Sequence, residues 1–205
     1  MLIPIQDFYR VLKEHNVALT GVLHIGAHNC EEKDDYDAMG LPTIWIDAIE
    51  ERVNESTFYG IPAVYQALIS DEDDALVPFY LSNNVESSSM FEFGTHSNYH
   101  PEVHYIGTRM LKTTTVDTFF ARHALDPAKY NFWNLDIQGA EYKALKGGSE
   151  ALKHAKVLYI EVNKEEMYKG CGLVTEVEAL LFPLGFKKVL DVTGPHCGDV
   201  LYIRS

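Results

Sequence analysis

The stretch Val22-Leu23-His24-Ile25-Gly26-Ala27-His28-Asn29-Cys30 constrains this chain more than any other. An apolar run turns sharply at Gly26-Ala27 and passes into the polar, helix-like segment Glu31-Glu32-Lys33-Asp34-Asp35-Tyr36. The pattern predicts a strand, a tight turn and a helix. Gly26 has no Cβ, so the turning backbone can come close to a ligand, and the free N–H groups of a following helix face the same place. A second apolar run, Thr43-Ile44-Trp45-Ile46, ends in Asp47. A strand-end carboxylate about twenty residues after the turn suits the ribose hydroxyls of a nucleotide-type ligand.

The same alternation continues along the chain. Ile5, Phe8 and Leu12 recur at helical spacing behind Pro4, so residues 1–18 are expected to form a helical cover. Helix is predicted near 29–39, strand at 43–47, a short helix near 50–58, strand at 63–69 and extended chain at 75–81. The acidic run 70–74 between the last two reads as a solvated loop. Residues 82–107 are turn-rich, then polar and aromatic, and long loops of that kind serve as lids or substrate loops. A strand near 108–116 and a helix near 117–125 come next. Phe132-Trp133-Asn134-Leu135-Asp136 and Val157-Leu158-Tyr159-Ile160-Glu161 are two more strands with terminal acids. Gly139-Ala140-Glu141 opens a helix, and Thr175-Glu176-Val177-Glu178 reads as a capping box that starts another. The last strands, near 186–192 and 199–204, have a connection too short for a helical crossover, which predicts an antiparallel pair. Strands alternating with helices imply a mostly parallel sheet covered on both faces, with ligands beyond the carboxyl ends of its strands. Asp47, Asp136 and Glu161 are all expected there.

At 205 residues the chain suits one domain with a full core, and 46% hydrophobic and 23% charged residues are ordinary for a soluble globular protein. A net charge of −13 argues against nucleic acid as partner, since phosphate binding needs a basic face. Three scattered cysteines make neither a disulfide framework nor a metal knuckle, and no leader or membrane-length apolar run is evident, so a cytoplasmic location is expected.

With these features placed, the chain resembles the FkbM family of class I S-adenosylmethionine-dependent methyltransferases. The matching words are His24-Ile25-Gly26-Ala27-His28, Trp45-Ile46-Asp47-Ala48, Ala67-Leu68-Ile69-Ser70-Asp71, Thr114-Thr115-Val116-Asp117-Thr118-Phe119, Leu135-Asp136-Ile137-Gln138-Gly139-Ala140-Glu141 and Gly198-Asp199-Val200-Leu201-Tyr202. The resemblance implies a three-layer, doubly wound Rossmann-like α/β fold, whose seven-stranded, mostly parallel sheet has an antiparallel last strand. It also implies S-adenosylmethionine as cofactor and methyl transfer to a hydroxyl, commonly of a sugar, glycolipid or other glycosylated product. Gly26 and Ala27 would face the methionine part of the cofactor and Asp47 the ribose. Ala67, Leu68 and Ser70 would line the adenine pocket, and Asp136 would lie near the sulfonium and the acceptor. His24, His28, Ala48 and Ser88 complete the cofactor-side candidates. The family's usual first-strand acid is His24 here, and its second turn glycine is Cys30.

Methyl transfer from a sulfonium is an in-line displacement, and an attacking alcohol needs a base. Asp136, Glu161 and His96 are the catalytic candidates. Trp45 and Trp133, inside strands, are expected in the core. No metal ligand set is expected, because His24 with His28 and His100 with His104 lack the setting of a zinc helix. Three rival functions are a methyltransferase-like binding protein without turnover, a metal-dependent hydrolase with weaker support, and a nicotinamide-dependent enzyme, which is weak because only Gly26 of a G-x-G-x-x-G turn is present. A small-molecule or glycan acceptor is the expected partner. The acceptor's identity and the oligomeric state are left open.

Overall fold

A computed structural model describes residues 3–204 of the chain. Met1 and Leu2 of the expected N-terminal cover, and Ser205, lie outside the described residues. In chain order the elements begin with α1 (Ile5–Glu14), β1 (Val22–Ile25), α2 (Lys33–Ala38), β2 (Thr43–Asp47), α3 (Glu50–Phe58), β3 (Val64–Gln66) and β4 (Leu68–Ile69). They continue with β5 (Leu76–Ser82), α4 (His96–Tyr99), β6 (Tyr105–Thr114), α5 (Val116–Arg122), β7 (Phe132–Leu135) and α6 (Glu141–Gly147). The chain closes with β8 (Val157–Asn163), α7 (Val174–Leu181), β9 (Lys187–Asp191) and β10 (Cys197–Ile203).

Seven strands form one sheet in the order β3-β2-β1-β7-β8-β10-β9. Pairings across β3, β2, β1, β7 and β8 are parallel, whereas β10 runs antiparallel to both β8 and β9. The sheet is thus mostly parallel, as the alternating pattern predicts, and the fold is the doubly wound, Rossmann-like arrangement that the family resemblance implies. The strand order reverses between β1 and β7, which opens a crevice beyond their carboxyl ends. Buried residues of α5, α6 and α7, among them Phe119, Leu145 and Leu181, pack with Leu23, Ile44, Trp133 and Ile160 on one sheet face. Phe8, Val11 and Leu12 of α1 and Tyr36 of α2 cover the other face, against Trp45, Phe132 and Val157. Each of those α1 side chains contributes about 1.5–3 kcal/mol by leaving water. Trp45 and Trp133 are core residues, 2% and 0% exposed.

Four local expectations are corrected. The predicted strand 63–69 divides at Ala67. The Ala67 N–H bonds the Asp47 carbonyl at 2.9 Å, and the next two residues leave β2 to pair with Thr113 and Thr114 of β6. A three-stranded sheet β4-β6-β5 results. Helix α2 begins at Lys33 rather than near Asn29, because His28 and Cys30 both take left-handed backbone, with φ of 44° and 55°. The acidic run is not simply solvated. Asp73 accepts from the Thr115 N–H at 2.8 Å and the Thr118 hydroxyl at 2.7 Å, and Asp71 pairs with Lys143 and Lys146. Finally, α7 starts before Thr175. Its third residue, Glu176, accepts from the Leu173 N–H at 2.9 Å, while Glu178 pairs with Lys188 instead.

Residues 83–104 connect β5 to β6 and are fastened to the segment after β8. Gly94 and His96 donate to the Met167 carbonyl and Thr95 to that of Glu166, with an antiparallel bridge between Phe93 and Tyr168. Ser87, Ser88 and Ser89 are buried. Ser89 ties this connection to the crevice by donating to the Gln138 carbonyl at 2.7 Å.

Candidate active site

The crevice begins where β1 and β7 end. Gly26 has φ of 91°, and a Cβ there would lie 1.7 Å from the Asp136 carbonyl oxygen. Glycine is thus required by the close approach of two strand ends, and not by a ligand alone. The Gly26 and Ala27 N–H groups bond the Ile46 carbonyl at 2.9 and 3.0 Å. The carboxylate of Asp47 then gathers the next turn, with Oδ2 accepting from the His28 N–H and Oδ1 from the Ile49 N–H, both at 2.8 Å. Burial pushes the Asp47 carboxyl above its usual value against those two bonds. Each carboxylate oxygen keeps a second lone pair for a further donor.

An open cleft of about 580 Å³ lies over this turn. Gly26, His28, Asp47 and Ala48 line one end, with Ala67 and Leu68 beside them. Ile49, Phe79, Val85 and Met90 form apolar walls, and Ser88 and Asp136 add polar edges. A carboxylate that can accept from hydroxyls, next to apolar walls, suits a nucleoside, with the base between the walls and the ribose at the acid.

A larger cavity of about 1230 Å³ adjoins it. Gly26, His28, Glu86, Asp136 and Gln138 line both spaces and so form their common wall. The sheet register explains what faces the second cavity. His24 of β1 lies opposite Asn134 of β7, which lies opposite Tyr159 of β8. Two residues further along β8, Glu161 sits directly opposite Asp199 of β10. Directly opposite residues share a face, so polar groups recur there at the strand period. Segment 94–100 adds His96 and His100 to the rim.

The carboxylates are crowded. Asp136, Glu161 and the buried Glu141 bring oxygens within 4.8 Å of one another, the one such metal-capable group among the described residues. No histidine belongs to it, which runs against a histidine-based hydrolase centre. Gln138 Nε2 donates to Asp136 at 2.6 Å and to Glu161 at 3.0 Å, while its Oε1 accepts from the Tyr168 hydroxyl at 2.5 Å. Glu141 accepts from the Ile137 and Gly139 N–H groups at 2.8 and 3.2 Å. It thereby holds the loop in which Gln138 and Gly139 take positive φ. Asp136 stands open to the cavity yet is surrounded by protein, and desolvation with the nearby Asp199 charge raises its carboxyl. Desolvation and the charges of Asp136, Glu141 and Asp199 lift Glu161 well above the glutamate range, and burial lifts Glu141 to about 7. His24 is driven the other way, to about 4, because burial disfavours its cation more than Glu32 supports it. Its ring packs 5.0 Å from that of Trp45, and the Tyr36 hydroxyl lies 3.4 Å from its Nδ1. His96 is likewise lowered by burial, then by neighbouring His100.

Of the candidates for the cofactor, Gly26, His28, Asp47, Ala48, Ala67, Leu68, Ser88 and Asp136 line the first cleft. His24 lines the second cavity instead. Ala27 is buried with the α1-side core, and Ser70 is buried beside Asp71, to which its hydroxyl donates at 3.2 Å. The catalytic candidates Asp136, Glu161 and His96 all line the second cavity. Sequence reasoning missed Glu32, Gln138, Asn163 and Asp199 there, and Phe79, Val85 and Met90 in the cleft. Asn163 and Gln138 follow named acids by two residues, a signal within reach; the apolar walls carry none.

Residues 20–188 match the family model of the methyltransferase FkbM domain. Comparison with curated protein sequences gives no match. Among solved structures, methyltransferase FkbM from Methylobacillus flagellatus KT is 15% identical, with a TM-score of 0.51 over 90% of this chain and 43% of that one. This chain thus spans less than half the length of that protein. Magnesium protoporphyrin IX methyltransferase from Synechocystis PCC 6803, solved with bound SAM, is 11% identical over 98% of this chain and 77% of that one, with a TM-score of 0.48. A SAM-dependent methyltransferase from Aquifex aeolicus is 19% identical over 97% and 90% of the two chains, with a TM-score of 0.44. No helix among the described residues is long and apolar enough to cross a membrane. The family match over most of its length shows that this chain belongs to the FkbM-domain methyltransferases.

Proposed function

We propose that the chain is an S-adenosylmethionine-dependent methyltransferase that methylates a hydroxyl of a sugar, glycolipid or other glycosylated product, with the whole chain acting as one catalytic unit. The observation that carries this reading is the wall shared by the apolar-walled cleft at Asp47 and the polar cavity, with Gly26 and Asp136 in it. S-adenosylmethionine, when bound, supplies an electrophilic methyl group on a sulfonium. Asp47 would hold the ribose hydroxyls through its remaining lone pairs, and Leu68, Phe79 and Met90 would enclose the adenine. Ser88 and His28 border the same cleft and would bind the polar end of the donor.

Asp136 is the residue we assign to the acceptor proton. It lines both spaces, and the acceptor's proton would move to its carboxylate as the oxygen–methyl bond forms and the carbon–sulfur bond breaks, a neutralisation that relieves its repulsion with Glu161, held beside it through Gln138. Neutral His96 would orient the acceptor. Residues 82–107 act as the wall that keeps water out, held down by the bonds to Met167 and Glu166. The test is methyl transfer from labelled S-adenosylmethionine to a panel of glycosylated acceptors, with donor binding measured in parallel by calorimetry. Donor binding without transfer to any hydroxyl would favour the non-catalytic binding protein, and no donor binding would reject the reading.

A further inference from the structure

Resting on the methyltransferase reading above, we propose that Tyr168 and Gln138 are positioning residues for the base that serves the acceptor. The tyrosine hydroxyl fixes which way the glutamine amide points, and the amide makes Asp136 ionise before Glu161. Oxygens of these two carboxyl groups lie within 4.8 Å of each other, so repulsion lets one lose its proton well before the other. Which one goes first decides where a base is available.

The amide favours Asp136. Gln138 Nε2 donates to Asp136 at 2.6 Å and to Glu161 at 3.0 Å, so the shorter bond goes to Asp136. A bond donated to a carboxylate favours its charged form. This one lowers the Asp136 carboxyl, against the desolvation that raises it, whereas desolvation and then the Asp136 charge lift Glu161. A glutamine amide has two orientations, and in the other its oxygen would face two groups that accept. Tyr168 selects the productive one, because its hydroxyl gives the amide oxygen a donor at 2.5 Å.

Both side chains are held from behind. Gln138 takes φ of 53°, which a residue with a Cβ keeps only where its surroundings over-determine it. Its carbonyl accepts from the Ser89 hydroxyl at 2.7 Å. A Cβ on Gly139 would lie 2.8 Å from the Cys171 Cβ and 3.2 Å from the Tyr168 Cβ, so this glycine lets the loop after β7 pack directly on the Tyr168 segment. Tyr168 is buried, with its ring 5.7 Å from that of Phe93 and 5.5 Å from that of His96. The covering segment 83–104 therefore braces the tyrosine that sets the amide. Around the pair, Glu141 of α6 and Asp199 of β10 add like charge, Glu86 and His28 belong to the shared wall, and His24 and His96 line the same cavity. Changes at Tyr168 or Gln138 leave all of these in place.

The test is a carboxyl-carbon NMR titration of the full chain, with Asp136→Asn and Glu161→Gln assigning the two resonances. Asp136 should ionise before Glu161. In Gln138→Leu the Asp136 midpoint should move up by about one pH unit, as loss of a hydrogen bond to a charged group requires. Tyr168→Phe keeps the ring and should move it the same way by less, and this variant decides alone if Gln138→Leu does not fold. Tyr105→Phe is the control. It removes another hydroxyl bond of the covering segment, to the Phe91 carbonyl at 2.8 Å, and should leave the titration unmoved. The acid limb of the kcat profile should follow the titration in Tyr168→Phe, while KM for S-adenosylmethionine stays within about twofold. Glu161 ionising first, an Asp136 midpoint unmoved in either folded variant, an equal shift in Tyr105→Phe, or an acid limb that stays put would overturn the proposal. A parent protein without methyl transfer fails the methyltransferase reading separately, and the NMR titration still decides the order of ionisation.

Discussion

Substituting Gly26 by alanine should damage this protein more than any other single-methyl change in the first turn. Two costs combine. The backbone at Gly26 has φ of 91°, where an L side chain costs about 1–2 kcal/mol. The added Cβ would also lie 1.7 Å from the Asp136 carbonyl oxygen, 2.7 Å from its carbon and 3.2 Å from Ile137 Cγ2. No rotamer change relieves contact with a carbonyl, and the Asp136 N–H is itself bonded to Ile25 at 3.1 Å, so the ends of β1 and β7 must part. Overpacking of that kind costs about 1–3 kcal/mol. The sum, about 2–5 kcal/mol, is a large share of an ordinary domain's stability of about 5–15 kcal/mol. Gly40 supplies the control. Its φ is 68° and nothing lies within 4 Å of an added Cβ, so Gly40→Ala carries the backbone cost alone. Urea unfolding of both variants separates the two effects. Gly26→Ala should be less stable than Gly40→Ala by at least about 1 kcal/mol, and its residual activity should fall, because the strained residue is Asp136. Equal destabilisation would refute the close packing of the two strand ends.

Asp47→Ala should weaken S-adenosylmethionine binding by more than about tenfold. It should also cost about 2–4 kcal/mol of stability, because His28 and Ile49 lose their acceptor; unchanged affinity in calorimetry, with the fold intact, would contradict the ribose assignment. Asp136→Asn should hold donor affinity within about threefold while turnover falls by about a hundredfold or more; full turnover would remove Asp136 from the chemistry. Stability should respond to pH through the acid cluster. Glu141, raised from 4.5 to about 7, keeps a proton in the folded state that the unfolded chain has lost, so stability declines as pH rises through that window. Asp136 and Glu161 shift in the same direction, whereas His24, lowered from 6.5 to about 4, contributes stability that grows with pH between those values. Glu141→Gln should therefore gain stability relative to the parent as the buffer moves from about pH 5 to about pH 7, read as urea midpoints; an identical pH response in both proteins would contradict a buried, protonated Glu141.

The frame was legible because its determinants are local. An apolar run ending in glycine or an acid announces both a strand and what stands at its carboxyl end. Asp47, Asp136 and Glu161 arrive at the crevice for that reason. The short link before β10 likewise announced the antiparallel pair. Other features depend on partners far away in sequence. Nothing in Ala63-Val64-Tyr65-Gln66-Ala67-Leu68-Ile69 marks where it exchanges β2 for β6, since both halves are apolar enough to pair. Asn29-Cys30-Glu31 looked helical, and only the left-handed His28 and Cys30 delay α2. Cys30, where the resemblance implied a glycine, has φ of 55°, the backbone region in which glycine is preferred. His24 occupies an acid's place but is held neutral between Trp45 and Tyr36, a setting that only the assembled sheet creates. The opposition of Glu161 and Asp199 follows from register across a hairpin and could not be counted from spacing.

The central claim is that Gly26, Asp47 and Asp136 frame a seat for a sulfonium nucleoside. A crystal structure of the protein soaked with S-adenosylhomocysteine tests it most directly. The ribose hydroxyls should lie within hydrogen-bond distance of Asp47, the adenine between Leu68 and Phe79, and the sulfur at the wall shared with the acid-lined cavity. Density for the ligand elsewhere, or a cleft that stays empty at saturating ligand, would contradict the claim.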